Sequence, residues 1–236
     1  TFYGTARIKR KIKDKHSISL SYTAFSTRER ETYDIQGQYW LSNTSTATEL
    51  AVGTYMEHAR NRLNSSQHSL RLAYEYHNKG HHVEAGLGFR HESIDERSRE
   101  WEYRDSSGYS MPHNPEALEV IYNLRSNNNI SSNHLEMYVQ DTWRRETANS
   151  IFSLNYGLRL SHWSWNKEWL FSPRASLTYI PKNHDNMTFR LATGLYYQRP
   201  FYKELRDTVT NGATTIVQLN ENIQSQRSFQ IIAGYE

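Results

Sequence analysis

Cysteine is absent from this 236-residue sequence, and so is any long apolar run. Without cysteine the chain has no disulfide framework, no thiolate ligand for zinc and no thiol chemistry. Without about 18 consecutive apolar residues it has no transmembrane helix. Net charge is also scarce, at +3, because 28 basic and 25 acidic residues are dispersed along the chain. The sequence therefore lacks the basic patch that nucleic-acid-binding proteins use, and we expect no nucleic acid partner.

Aromatic residues are abundant by contrast, with 17 Tyr and 6 Trp. Such residues accumulate where a membrane β-barrel crosses the two lipid interfaces. A mean hydropathy of -0.85 is compatible with a barrel, because only alternate positions of a barrel strand are apolar. A tyrosine-rich soluble sheet, such as a carbohydrate-binding sandwich, has a similar composition. Composition alone leaves both classes open.

Alternation of apolar and polar residues is clearest in residues 172–206. Ala175, Leu177 and Tyr179 alternate with polar residues before Pro181, and the alternation resumes at Phe189 after a polar turn. A period of two predicts strands, and the pair predicts a hairpin. The same pattern predicts an all-β chain of about eleven strands, near residues 1–11, 16–25, 33–41, 47–60, 67–77, 82–90, 133–145, 149–165, 169–180, 186–199 and 222–236.

The predicted connections sort by length. We expect short ones at one end of the sheet, at residues 11–15, 42–46, 78–82, 144–149 and 181–186. We expect long ones at the other end, at residues 94–132 and 200–221. Short turns on one side and long loops on the other are typical of outer-membrane barrels. Within the first long connection, residues 95–105 (DERSREWEYRD) are charged on both faces, so we expect a strand that stands above the lipid.

Four segments resemble a known family. They are MYVQDTW (137–143), LNYGLRLSHW (154–163), SPRASLTYIP (172–181) and FRLATGLYYQRPFYKELRD (189–207). In this order they resemble the barrel of TonB-dependent outer-membrane receptors in the form found in Bacteroidetes-type bacteria. Residues 16–41 resemble the family more loosely.

The resemblance implies that residues 1–236 are part of a 22-stranded antiparallel transmembrane barrel with short periplasmic turns and long extracellular loops. The plug domain, the remaining strands and the segment that touches TonB would lie outside the sequence. It implies TonB-energised uptake of a siderophore, cobalamin or oligosaccharide through the bacterial outer membrane. The implied partners are outer-membrane lipid, the plug domain, the TonB complex and a small nutrient or chelate. The alternatives are a passive porin or structural barrel, and a secreted carbohydrate-binding sandwich.

Catalytic and metal sites are not expected. His77, His81 and His82 surround one turn, but zinc needs three or four converging ligands and no acidic residue lies in that turn. No G-x-S-x-G nucleophile elbow occurs. We therefore expect no enzymatic activity, no metal and no cofactor.

The candidate binding residues divide into three sets. We expect the ligand to contact aromatic residues of the long loops, with packing between loops as the alternative. We expect three arginines to face the lumen, where the resemblance implies pairing with the plug, and seven leucines to face lipid. The sets are Trp101, Tyr103, Tyr109, Phe201 and Tyr202; Arg159, Arg174 and Arg190; and Leu20, Leu70, Leu72, Leu87, Leu158, Leu191 and Leu195.

Overall fold

The fold consists almost entirely of strands. A computed structural model describes residues 1–105, 120–183 and 187–236, and these contain no α-helix. Among them no helix is both long enough and apolar enough to cross a membrane. The strands are β1 (Phe2–Ile12), β2 (His16–Ser42), β3 (Glu49–Asn78), β4 (His81–Arg104), β5 (Val120–Glu146), β6 (Ser150–Trp163), β7 (Glu168–Pro181), β8 (Phe189–Gln198), β9 (Arg206–Asn211), β10 (Thr214–Leu219) and β11 (Gln226–Tyr235), with one 3-10 helix at Tyr202–Leu205.

All eleven strands belong to one sheet. Nine of them form an antiparallel meander in the order β1-β2-β3-β4-β5-β6-β7-β8-β11. The other two, β9 and β10, form a hairpin within the connection from β8 to β11, and β10 pairs in parallel with β5. The prediction of an all-β, antiparallel fold is confirmed.

Four strands are much longer than the sequence predicts. Strands β2 to β5 contain 24 to 30 residues, whereas β6, β7, β8 and β11 contain 10 to 14. The predicted break at residues 26–31 was wrong, because β2 runs through it. The predicted strands 47–60 and 67–77 are likewise the single strand β3. The predicted and observed counts agree only because β9 and β10 replace the two predicted strands lost to these mergers.

The predicted break in β2 has a physical reason. In the first half of β2, the apolar residues Ile18, Leu20 and Tyr22 occupy even positions. In the second half, Tyr33 and Ile35 occupy odd positions, on the opposite face. The alternation therefore changes phase along one continuous strand. In a sequence, such a change of phase looks like a turn. Here the strand continues, and its apolar residues move to the opposite face.

Two predicted connections also need correction, because the strands beside them are longer than predicted. Residues 42–46 lie at the opposite end of β2 from residues 13–15, so this connection belongs with the long loops and not with the short turns. The predicted long connection 94–132 is mostly strand, because β4 continues to Arg104 and β5 begins at Val120. The prediction that residues 95–105 extend a strand is confirmed through Arg104.

The turn between β3 and β4 shows why the short connections are tight. Lys79 and Gly80 both have positive φ, at 42° and 86°, and Asn78 pairs directly with His81. Two successive residues with positive φ favour a two-residue hairpin turn. Gly80 is required for a second reason, because a Cβ there would lie 2.4 Å from the carbonyl oxygen of Arg144.

Buried apolar residues form only a small core. Ile94, Ile130, Trp163 and Leu205 pack together near the loop end of the long strands. Leu205 comes from the 3-10 helix between β8 and β9, so this core fixes the connection at residues 199–225 against one face of the sheet. Among the described residues, many more large apolar side chains are exposed than are buried.

Candidate functional site

We call the part of the sheet nearer the short turns its lower part and the part nearer the long loops its upper part. Over the lower part, one face of the sheet is apolar and the other is polar. Strand register places exposed and half-buried apolar residues beside each other across five strands, in the row Leu20, Leu72, Leu87, Met137 and Leu160. The adjacent row on the opposite face is Ser21, Arg71, Gly88, Glu136 and Ser161. We call these two sides the apolar face and the polar face.

The seven leucines predicted to face lipid all lie on the apolar face. Most are more than a third exposed; Leu87, for example, is 50% exposed and Leu191 is 51% exposed. Large continuous apolar surfaces are rare on water-soluble monomers and mark contact with lipid or another protein. No second sheet covers this face within residues 1–105, 120–183 and 187–236.

Aromatic rows border the apolar face at both ends. At the turn end, Phe152, Tyr179, Phe189 and Tyr235 are register partners with ring centroids 4.9 to 6.1 Å apart. At the other end, a row that contains Tyr22, Phe89, His162 and Trp169 crosses the sheet. The two rows are ten residues apart on β6, which is about 25 Å in height for a strand tilted by about 40°. Rows at this separation are typical of the two interfaces of a membrane.

Among the described residues, one acidic group lies on the apolar face. Asp141 is 8% exposed, near the turn end. Its carboxylate interacts with His81 Nδ1 at 2.7 Å and accepts a hydrogen bond from the Tyr156 hydroxyl at 3.2 Å. Both partners cover the carboxylate, so the apolar face presents little free charge here.

On the polar face, arginines are held by aromatic rings and glutamate. Arg71 and Arg159 lie over the Tyr138 ring, 5.6 and 5.9 Å from its centroid, and both approach Glu136 within 4 Å. Tyr138 lies across Gly86, where a Cβ would be 2.3 Å from its ring. Sequence reasoning missed Arg71, Glu136 and Tyr138, because their proximity depends on a register that no local pattern encodes.

The three arginines predicted to face the lumen all lie on the polar face. Arg159 belongs to the group just described. Arg174 lies 4.4 Å from the centroid of Tyr196, and Arg190 forms an ion pair with Glu236 at 3.1 Å. That this face borders a lumen remains a prediction.

A cavity of about 390 Å³ lies on the polar face above these arginines. Arg71, Arg90 and Arg199 line it together with Glu136 and His134. Nε of Arg90 is buried without a hydrogen-bond partner in the described part of the chain. Three guanidinium groups against one carboxylate make this cavity suitable for an anionic group.

Higher on the polar face, a buried carboxylate anchors the connection at residues 199–225. Glu96 is 6% exposed and accepts hydrogen bonds from the hydroxyls of Tyr202, at 2.5 Å, and Ser126, at 2.7 Å. Arg206 forms an ion pair with it at 3.5 Å. Burial alone would raise the pKa of Glu96, but these hydrogen bonds and the Arg206 charge outweigh burial and leave the pKa below its ordinary value. Burial and the nearby carboxylate raise the pKa of Tyr202.

The predicted ligand-contacting residues do not come together. Trp101 and Tyr103 lie on the same side of β4 as the apolar face, where Trp101 stacks on His58 with centroids 4.7 Å apart. Tyr202 lies on the opposite side, bound to Glu96, and Phe201 beside it is 65% exposed. Tyr109 lies outside the described residues. The sheet thus separates Trp101 and Tyr103 from Tyr202.

The histidines of the β3 to β4 turn contact neighbouring side chains. The rings of His77 and His82 stack 3.9 Å apart, while His81 contacts Asp141. In the described ranges, no group of three or more His, Cys, Asp or Glu residues is arranged to hold a metal ion.

Comparison with known proteins assigns the sheet to a family. A family model described as "TonB dependent receptor-like, beta-barrel" matches residues 2–236. The chain belongs to this family. Among solved structures, the chain is similar to a mutant of the ferric enterobactin receptor PfeA from Pseudomonas aeruginosa, with 11% sequence identity and a TM-score of 0.40. The match covers 98% of this chain and 39% of that receptor, so the chain spans about two fifths of its length. No curated protein matches the chain.

Proposed function

We propose that the chain is about half of the barrel wall of an outer-membrane receptor, which takes up a scarce nutrient with energy supplied through TonB. In the complete barrel, the apolar face contacts lipid and the polar face borders the lumen. The family assignment supports this proposal. The observation that carries it is the exposed apolar face, bordered by two aromatic rows about 25 Å apart.

The residues of the polar face favour a lumen that is closed by a plug rather than an open channel. Arg159, Arg174 and Arg190 face the lumen in this proposal, and the cavity lined by Arg71, Arg90 and Arg199 lies above them. A lumen-lining arginine is most simply stabilised by a fixed carboxylate, in bidentate geometry where the approach allows it. Acidic side chains of the plug domain are therefore the expected partners of these guanidinium groups.

The ligand would bind on the loop side of the sheet. Phe201 and Tyr202 stand on the lumen side and remain candidate contacts for a siderophore, cobalamin or oligosaccharide, since aromatic rings provide stacking surfaces. Trp101 and Tyr103 face away from the lumen. We retain them as candidates only for a ligand that also reaches the outside of the loops.

Uptake measurements test the proposal directly. Cells that express the full-length protein are given radiolabelled cobalamin, a ferric siderophore or a maltooligosaccharide, with and without an active TonB complex. We expect energy-dependent accumulation of one probe above the level of cells that lack the protein. Accumulation that continues unchanged without TonB would instead establish a passive porin. Recovery of the protein from the soluble fraction without detergent would contradict the proposed location in the outer membrane.

A further inference from the structure

Two guanidinium groups in the cavity on the polar face have no carboxylate partner. Arg90 belongs to β4 and Arg199 directly follows the end of β8, so they reach the same cavity from different parts of the chain. Neither forms an ion pair in the described part of the chain, and Nε of Arg90 is buried without a hydrogen-bond partner. A charge that is removed from water without an opposite charge is destabilising. The folded chain therefore leaves a need for an anion at this point.

The contacts of Arg199 do not meet this need. Arg199 donates a hydrogen bond to Nδ1 of His134, whose side chain is buried. Nε2 of His134 lies 3.2 Å from the carboxylate of Glu92, so the imidazole stands between Glu92 and Arg199. Arg90 is close enough to repel Arg199. Both arginines are half-buried, so water screens this repulsion only in part.

The other nearby carboxylates have partners elsewhere. Glu136 lies 3.6 Å from Arg71 and 3.7 Å from Arg159. Glu168 accepts a hydrogen bond from the Ser225 hydroxyl at 2.7 Å. An anion from outside the described residues could therefore bind the two unpaired arginines without displacing an internal ion pair.

The size and lining of the cavity indicate how large the anion is. Its volume of about 390 Å³ lies in the range of small-molecule sites and exceeds that of one carboxylate group. A single acidic side chain of the plug would leave much of this space to water. Hydroxyl and amide groups of β2 and β3 provide further hydrogen-bond partners on the opposite wall, from Ser21, Thr23, Gln67 and Ser69. The cavity thus suits a small, oxygen-rich compound.

The cavity also lies where an entering ligand would arrive early. Arg90 is adjacent to Phe89 of the upper aromatic row, so the cavity lies at the height of that row. The connection at residues 199–225 begins at its edge. Higher on the same side of the sheet, the charged residues include glutamates such as Glu31 and Glu100. The preference for an anion therefore belongs to the cavity and not to this whole side of the sheet.

We propose that this cavity binds the transported nutrient, and that the nutrient carries a carboxylate or phosphate group held by Arg90 and Arg199. Guanidinium groups match the geometry of both oxyanions and form charge-assisted, bidentate hydrogen bonds with them. A neutral compound would leave the two positive charges unpaired. The inference rests on the proposed function, because it needs the polar face to border the lumen, and it adds the chemical class of the nutrient.

The test uses the full-length protein in detergent and isothermal titration calorimetry. The probes are citrate for carboxylate, glucose 6-phosphate for phosphate, and glucose as the uncharged counterpart. We expect one or both anions to bind and glucose not to bind. Arg90→Gln should lower the anion affinity at least about tenfold, because hydrogen bonds between charged groups are the strong ones. It removes no ion pair of the described chain, so heat-modifiable migration should remain normal.

Two further variants separate binding from folding and from overall charge. Arg90→Lys keeps the charge but loses the bidentate geometry, so its affinity should lie between those of the unchanged protein and Arg90→Gln. The matched control combines Lys11→Gln and Arg144→Gln, which remove two exposed positive charges from the same side of the sheet at the turn end. It should bind the anions almost as the unchanged protein does.

Two binding results would overturn the inference. They are equal anion affinity of Arg90→Gln and the unchanged protein, or no binding of either anion by the unchanged protein. In the second case a plug carboxylate is the partner of the arginines. Uptake measured in parallel separates these failures from failure of the proposed function. TonB-dependent uptake together with either result rejects only the anion site, whereas uptake that is independent of TonB rejects the proposed function and the inference with it.

Discussion

The lower and upper parts of the long strands differ in what each face carries, although the backbone is continuous. Below the aromatic row of Tyr22 and Phe89, one side of the sheet is the apolar face and the opposite side contains arginines. Above that row, the side that continues the apolar face contains arginines such as Arg30 and Arg62, and the opposite side contains glutamates and the small core around Ile94 and Ile130. Strand geometry is the same in both parts. The difference teaches that the surroundings of each face, and not the strand itself, select its residues.

A charge placed on the side of the apolar face should give the largest contrast between the two parts. Ala85→Arg lies in the lower part, close to midway between the two aromatic rows, where an arginine that faces lipid costs about 2–4 kcal/mol. Ser93→Arg lies on the same face of the same strand, eight residues higher, and should cost less than about 1 kcal/mol. Urea titration of the full-length protein in lipid vesicles measures both changes. Equal costs would mean that the boundary is not where the aromatic row places it.

Glycine substitutions on the polar face should give the next largest effect. A Cβ at Gly86 would lie 2.3 Å from the Tyr138 ring, whereas at Gly88 its nearest atom would be 3.7 Å away. Gly86→Ala must displace the Tyr138 ring from Arg71 and Arg159, and such overpacking costs about 1–3 kcal/mol. Gly88→Ala on the same strand should be nearly neutral. Thermal unfolding in detergent checks the pair, and a Gly88→Ala loss equal to that of Gly86→Ala would disprove the contact.

Loss of the Glu96 charge should weaken the attachment of residues 199–225 to the upper part of the sheet. Glu96→Gln leaves Arg206 without its buried carboxylate, and an unmatched buried group costs about 1–3 kcal/mol. We expect faster hydrogen exchange in residues 202–219 and unchanged exchange in β6 and β7. Ser126→Ala, which removes one hydrogen bond, is the milder control. Uniform acceleration across the sheet would show general destabilisation and contradict a local anchor.

The pH dependence of the same anchor follows from the lowered pKa of Glu96. A carboxylate with a lowered pKa in the folded state stabilises that state above its ordinary pKa of 4.5, and this stabilisation is lost as pH falls through the folded value. Hydrogen exchange of residues 202–219 should therefore follow only its intrinsic pH dependence between about pH 6 and 8. Protection should fall below pH 4.5. Loss of protection near neutral pH would assign the anchor to another group.

Single aromatic substitutions should give the smallest effect on stability and sharpen the assignment of the ligand side. Phe201→Ala should raise the ligand concentration needed for half-maximal uptake, because the exposed Phe201 ring stands on the lumen side in the proposed function. Trp101→Ala should leave uptake nearly unchanged, since Trp101 faces outward against His58. Heat-modifiable migration should be normal for both. A larger uptake defect for Trp101→Ala would place the ligand outside the loops.

The lower part of the fold could be predicted from the sequence, because its strands keep apolar residues at every second position. Alternation alone places Leu20, Leu72 and Leu87 on one face, and Arg159 and Arg174 on the other. Above the upper aromatic row, the apolar residues no longer keep to the same face. The apolar positions change from Leu20 to Ile35 without a turn, so the predicted division of β2 was wrong.

Contacts between strands could not be predicted. For example, Arg30, Arg62 and Arg97 are more than 30 residues apart in the sequence and become neighbours only through strand register. The separation of Trp101 from Tyr202 has the same origin. Both lie near long loops in the sequence, and only the structure shows that they lie on opposite sides of the sheet.

The parallel pairing of β10 with β5 has a consequence for assembly. Strand β6 pairs with β5 only from His134 onward, so the upper half of β5 has one edge without a β6 partner. Residues Thr214–Val217 pair with Asn123–Ser126 on that edge. Unpaired strand edges promote association with other chains. Because β10 follows β8 in the chain, this edge stays open until residues 214–217 are in place. The connection at residues 199–225 therefore shields a site of misassembly during barrel formation.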